Sequence, residues 1–223
     1  MKIVICNSRD WFSLDNEVLR SSEVISIRDK GDLTFDKLKS FDPDLVFFPH
    51  WNWIVEENIF SSFTCVVFHT APLPYGRGGS PIQNLIIRGH KNAPVCAFKM
   101  SDGIDNGPIY DKRLISLDGT LSDIISRLND AVNELIKKLI CSLPDPEPQV
   151  GDVYTFKRLG RQDNEICLDS TFEQIYDKIR MLDDDSYPSA YLSLDNLFIE
   201  FFELTKLDDE LSCKVRISKK TIN

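Results

Sequence analysis

With 223 residues, 42% of them hydrophobic and 27% charged, the chain can build one well-buried domain with a small appendage, and its composition is that of an ordinary globular protein. Its formal net charge of −9, from 26 basic and 35 acidic residues, argues against a nucleic-acid partner, and no apolar run approaches the roughly 20 residues that span a bilayer. Six cysteines lie scattered without a CxxC pair and read as reduced structural thiols. The opening apolar run is too short and too soon polar for a signal peptide, so a cytoplasmic protein is expected.

In chain order, residues 2–6 form a buried strand that ends in the polar loop 7–10. A dinucleotide fold carries its glycine-rich phosphate turn there, and the absence of those glycines disfavours a nicotinamide cofactor. A short helix is predicted over 17–21, a strand over 23–27, and a helix over 35–41 stopped by Asp42-Pro43-Asp44. The buried strand 45–48 empties into the aromatic loop 49–54, and the apolar run 65–68 ends on His69. A breaker-rich loop (70–80), a helix (81–88), a strand (94–100), an acidic glycine-bearing turn (101–108) and a strand (109–115) follow. Thr120 and Asp123 have capping-box spacing ahead of an apolar stripe that repeats at three- and four-residue steps from Leu121 to Leu139, which predicts a helix of about five to six turns.

Three prolines mark residues 143–150 as a linker between a domain over 1–142 and a small region over 151–223. The latter has a helix at 171–182 and short antiparallel strands at 191–194, 197–204 and 213–217. Apolar strands alternating with crossover-length connections predict an α/β fold: an open, mostly parallel, Rossmann-like sheet with helices on both faces, plus a small C-terminal α+β region.

Of the three histidines, His90 follows Gly89 at a helix end and reads as surface, whereas His69 closes a buried strand. An aspartate in the next acidic turn can hold its imidazole in one tautomer, the arrangement that acid–base chemistry needs. No His/Cys/Asp cluster has metal-ligand spacing, so no metal is expected.

The residues from Phe68 through His69, Leu73-Pro74-Tyr75-Gly76-Arg77-Gly78-Gly79-Ser80-Pro81, and on to Asp105-Asn106-Gly107, resemble the 10-formyltetrahydrofolate-dependent formyltransferase family. That family's pattern is Asn-x-His before a Leu-Pro loop, then an aspartate 36 residues after the histidine, and His69 and Asp105 keep both residue types and that separation. The Leu73–Pro81 loop, the run from Ile175 to Asp183 and the pair Tyr187-Pro188 are most similar to the sugar N-formyltransferase branch. One position departs: the family's asparagine, two residues before the histidine, is Val67 here. Asn52 and Asn106 are candidate stand-ins.

The resemblance implies formyl transfer from 10-formyltetrahydrofolate, with no metal, to the amine of a nucleotide-linked amino-dideoxy sugar, in particular a dTDP sugar of O-antigen or lipopolysaccharide biosynthesis. His69 would stabilise the tetrahedral intermediate, with Asp105 as its orienter and base. The folate would lie against His50, Trp51, Asn52 and Trp53 and the turn Met100, Ser101, Asp102, Gly103 and Ile104, where an aromatic wall suits a flat heterocycle. Asn7, Ser8 and Arg9, with Arg77 and Gly78, would meet the acceptor, and Lys157, Arg158 and Arg161 form a second basic cluster. A homodimer is the assembly the sugar branch suggests. The alternatives left open by Val67 are a weakly active or non-catalytic binder of folate or nucleotide sugar, and a formyltransferase with another amine acceptor.

Overall fold

The computed structural model describes residues 1–220; residues 221–223, the last of the expected C-terminal region, lie outside the described residues. The elements in order are β1 (Lys2–Asn7), α1 (Asn16–Ser21), β2 (Glu23–Ile27), α2 (Phe35–Phe41), β3 (Leu45–His50), α3 (Glu57–Ser62), β4 (Cys65–Thr70), β5 (Tyr75–Gly78), α4 (Pro81–Ile87), β6 (Asn92–Lys99), β7 (Ile109–Ser116) and α5 (Leu121–Cys141), then β8 (Tyr154–Phe156), α6 (Phe172–Arg180), β9 (Ala190–Leu194), β10 (Leu197–Leu207) and β11 (Glu210–Lys219).

Six strands form one sheet in the order β2-β1-β3-β4-β6-β7. The first four run parallel, while β6 and β7 pair antiparallel. The connection 100–108 is too short for a crossover, which needs a dozen or more residues, so β7 has to double back on β6. Successive residues of the central strands point to opposite faces. Ile3, Ile5, Phe47, Val66 and Phe68 pack on the side of α5. Val4, Cys6, Val46, Phe48 and Cys65 pack on the other side with Leu38 of α2 and Ile59 of α3. Burial on both faces explains why these strands read as unbroken apolar runs.

The predicted mostly parallel α/β sheet is therefore present, with two antiparallel strands at one edge. α5 carries the full capping box between Thr120 and Asp123, and its stripe from Leu121 to Leu139 is buried. Among the described residues, no helix is long and apolar enough to cross a membrane. All six cysteines are free.

Beyond α5 the chain returns to the sheet-bearing part. Glu147 exchanges backbone bonds with Ile109, and β8 pairs in parallel with β5. The three antiparallel strands β9–β11 follow, joined to the main core through α6.

Candidate functional site

The strand order reverses around β1: β2 lies on one side of it, β3 and β4 on the other. Such a switch point leaves a crevice at the carboxyl ends of the parallel strands, where open α/β sheets bind ligands. Here those ends present Asn7 on β1, His50 on β3 and His69 on β4. β3 extends to His50, two residues past the predicted end, so His50 stands on the strand rather than in the loop.

His69 is 8% exposed and shares a sheet face with Val67, two residues earlier. Its Nε2–H donates to the Gly76 carbonyl at 2.7 Å, which fixes the ring orientation. Nδ1 lies 3.5 Å from Asp105 Oδ2. Both ring nitrogens thus face acceptors, an arrangement that a doubly protonated ring satisfies with two donors.

Asp105 is reached by an unusual path. The turn leaves β6 beside the start of β4, where Met100 N donates to Cys65 O at 2.8 Å, and folds back along that strand to His69. Asp105 sits in the left-handed region at φ 50°, a conformation that aspartate tolerates better than most residues and that accumulates at functional sites. Its Oδ2 also accepts the Gly78 N–H at 2.9 Å. Two residues on, a Cβ on Gly107 would stand 1.7 Å from the Lys99 carbonyl, so the turn can lie this close to β6 only with glycine there.

A residue that the sequence did not single out completes the frame. Gln149 Nε2 donates to the Asp105 carbonyl at 2.8 Å and the Gly107 carbonyl at 2.9 Å. Its Oε1 accepts Arg77 Nε at 3.1 Å and Nη2 at 2.8 Å. Strand β5 thereby holds His69 through Gly76 and Asp105 through Gly78, and it reaches the turn's backbone through Arg77 and Gln149. Arg77, expected on an anionic acceptor, gives those donors to Gln149. Nothing in the linker's composition pointed to Gln149; its three neighbouring prolines spoke only of a boundary.

The residues expected to hold a folate divide into two groups. Trp51, Val67 and Met100 pack into one apolar cluster, and Trp51 meets Trp53 edge-on with centroids 4.9 Å apart. The Trp51 indole N–H has no acceptor in the protein. An orphaned donor beside an aromatic wall fits a flat heterocycle that carries acceptors at its edge. In the turn, Ser101 Oγ donates to Asn106 Oδ1 at 2.8 Å and Asn106 Nδ2 donates to the Asp102 carbonyl at 2.6 Å. Asn106 is thus spent on its own turn, with Gly103 at φ 89° and Ile104 68% exposed beside it. Asn52 is exposed. Neither asparagine takes the place of the side chain missing at Val67.

His50 falls in with the residues expected to meet the acceptor. Ser8 N and Oγ donate to the His50 carbonyl, and Trp11 meets its ring edge-on at 5.9 Å. Asn7 caps the Arg9 turn through its own amide. Burial, with the Arg9 and Arg158 guanidiniums beside it, pushes the His50 imidazole down to about 4. Of the second basic cluster, Arg158 joins this group. Lys157 is exposed, and Arg161 pairs with Glu200 at 3.2 Å.

Residues 17–142 match the model of the formyl transferase family, and residues 161–218 match that of the methionyl-tRNA formyltransferase C-terminal domain. A structure of a methionyl-tRNA formyltransferase from Clostridium thermocellum is 38% identical and superposes with a TM-score of 0.93 over 98% of this chain and 99% of that one. The methionyl-tRNA formyltransferase of Rickettsia bellii is 27% identical over 181 residues, 78% of this chain and 59% of its own. The chain spans about half to three-fifths of the length of such curated relatives. A further fold neighbour, at 18% identity and a TM-score of 0.56 over 70% of this chain and 85% of its own, is the formyltransferase PseJ from Anoxybacillus kamchatkensis, determined with a UDP-linked formamido sugar and tetrahydrofolate. The relatives of higher identity are thus methionyl-tRNA formyltransferases, and the sugar branch expected from the loop enters through more distant fold neighbours, at 18–20% identity.

Proposed function

The chain belongs to the formyl transferase family, and from that premise we propose that it moves a formyl group from 10-formyltetrahydrofolate to the amine of a nucleotide-linked amino sugar, with dTDP as the expected carrier. The observation that carries the reading is the His69–Asp105 pair, braced by β5 at the crevice where ligands enter such sheets. The amine nitrogen attacks the formyl carbon and the carbonyl electron pair moves onto oxygen. Collapse then breaks the bond to N10, which takes up the proton that the amine has lost.

His69 has its Nε2–H fixed on Gly76, so Nδ1 is the atom left to serve the developing oxyanion, while Asp105, 3.5 Å from it, orients the ring and receives the amine proton. The folate fits between the Trp51/Trp53 wall and the turn that follows Met100. Val67 removes one oxyanion donor, a loss of about 3 to 4 kcal/mol where such donors have been deleted, so turnover slower than the family's is expected. The acidic character of the chain and the sugar-branch loop favour a nucleotide sugar over a tRNA as acceptor.

The test is mass spectrometry of a panel of nucleotide-linked amino sugars, with methionyl-tRNA alongside, each incubated with the protein and 10-formyltetrahydrofolate. A formyl mass gain on one of the amino sugars is expected. Gain on the tRNA alone would replace the acceptor, and gain on none at about 1 μM to 1 mM would end the transferase reading.

A further inference from the structure

We infer that Phe156, from beyond the linker, is a positioning residue for formyl transfer: its ring fixes the carbonyl that orients His69, and its backbone fixes the part of β5 that holds Asp105. The inference rests on the reading of His69 and Asp105 as the working pair and goes beyond it, since it assigns to the site a residue with no polar side-chain atom.

The His69 Nε2–H bond needs the Gly76 carbonyl turned inward, at 2.7 Å. Gly76 stands at φ 89°, and a residue without a Cβ can let its peptide groups swing at little cost. What stops that swing is packing. A Cβ on Gly76 would stand 2.7 Å from Phe156 Cε2 and 2.8 Å from the Ala71 Cβ, so the Gly76 Cα is wedged between the ring and Ala71. Phe156 is 2% exposed and Ala71 is fully buried, which leaves the wedge no room to open.

The ring is itself held. Tyr75 and Tyr154 meet it edge-on, with centroids 5.3 and 5.8 Å away. The Arg88 guanidinium lies 4.8 Å from its centroid and is tied to the Asn84 carbonyl and Oδ1, both at 2.9 Å. Asn84, buried on α4, also donates from Nδ2 to the Lys157 carbonyl at 3.0 Å, so α4 grips both the ring and the chain just after it. On the backbone side, Phe156 stands in register with Gly78, and its carbonyl accepts Gly79 N at 3.3 Å. Gly78 N–H is the donor that holds Asp105. One residue thus bears on both anchors of the pair, the Gly76 carbonyl and the Gly78 N–H. A phenylalanine that only fills the core would give stability alone, whereas this placement makes its loss felt in the orientation of His69.

Labelling the three histidines with ¹⁵N tests this without any ligand, the His69 signals being assigned by their absence from His69→Gln. In wild type the Nε2–H proton should lie far downfield, as a buried, hydrogen-bonded imidazole proton does. In Phe156→Ala and Phe156→Leu it should move upfield or vanish. Leu139→Ala, which removes a buried side chain at the end of the α5 stripe, is the control for lost stability and should leave the signal in place. On the acceptor that gains the formyl mass, kcat should fall about 10- to 100-fold in Phe156→Ala and less in Phe156→Leu, with the KM for 10-formyltetrahydrofolate within about twofold. An unmoved His69 signal in both Phe156 variants, an unchanged kcat in both, or an equal fall in Leu139→Ala would overturn the inference. Phe156→Leu keeps the test valid if Phe156→Ala folds poorly. A displaced signal in a protein that transfers no formyl group would leave Phe156 as the brace of His69 and remove the transfer reading alone.

Discussion

His50 sits where burial and two arginine charges act in the same direction, and its protonation should be visible in stability. The folded imidazole titrates at about 4, against about 6.5 in the unfolded chain. Between those values the unfolded chain binds more protons, so stability falls as pH drops from about 6.5 towards 4, by up to about 3 kcal/mol. Urea unfolding of wild type and His50→Gln at pH 7 and 4.5 isolates this contribution, because the other titrating groups are common to both. The wild type should lose about 2 to 3 kcal/mol more than the variant, and equal losses would show that His50 is not held neutral. Single residues were also where the sequence was least complete. His69 and Asp105 were legible as a pair because their types and separation are fixed together. The sequence could not tell that Asn106 is consumed by its own turn, or that Arg77 is engaged by Gln149, since neither hydrogen bond leaves a pattern in composition or periodicity.

At the scale of elements, β5 does most to shape the site. Its four residues read as loop because two are glycines and its partner, β8, lies across the linker. It nonetheless supplies the carbonyl that orients His69 and the N–H that holds Asp105. Helix α3 was missed for a different reason: with a single buried residue, Ile59, its six residues show no periodicity. Strand direction was also hidden for β6, whose apolar run looks the same pointing either way. The frame around β5 can be loosened without touching reacting atoms. Gln149→Leu keeps the volume but removes both donors to the Asp105 turn and frees Arg77. We expect kcat to fall about 10- to 100-fold, as small misplacements of catalytic groups do, while the KM for the folate stays within about twofold because the Trp51 side is unaltered. An unchanged kcat would mean that the turn holds its shape without Gln149.

For the whole molecule, the C-terminal region is bound into the fold rather than appended to it. Arg180 of α6 is 2% exposed; its Nε pairs with Asp177 at 2.6 Å while Nη1 donates to the Leu117 and Gly119 carbonyls ahead of α5. β8 pairs with β5 from beyond the linker, so the two parts meet beside the chemistry. The sheet itself was legible because apolar runs buried on both faces announce their strands. The return of the chain across the linker was not, because pairing between distant segments depends on backbone groups that every residue carries. The account as a whole stands on His69 as the group that stabilises the transferred carbonyl. Its most direct test is the formyl-transfer rate of His69→Ala beside wild type, on whichever acceptor gains the formyl mass. A fall of about 10²- to 10⁴-fold, with folate binding retained, is the predicted result, and near wild-type turnover in the variant would contradict it.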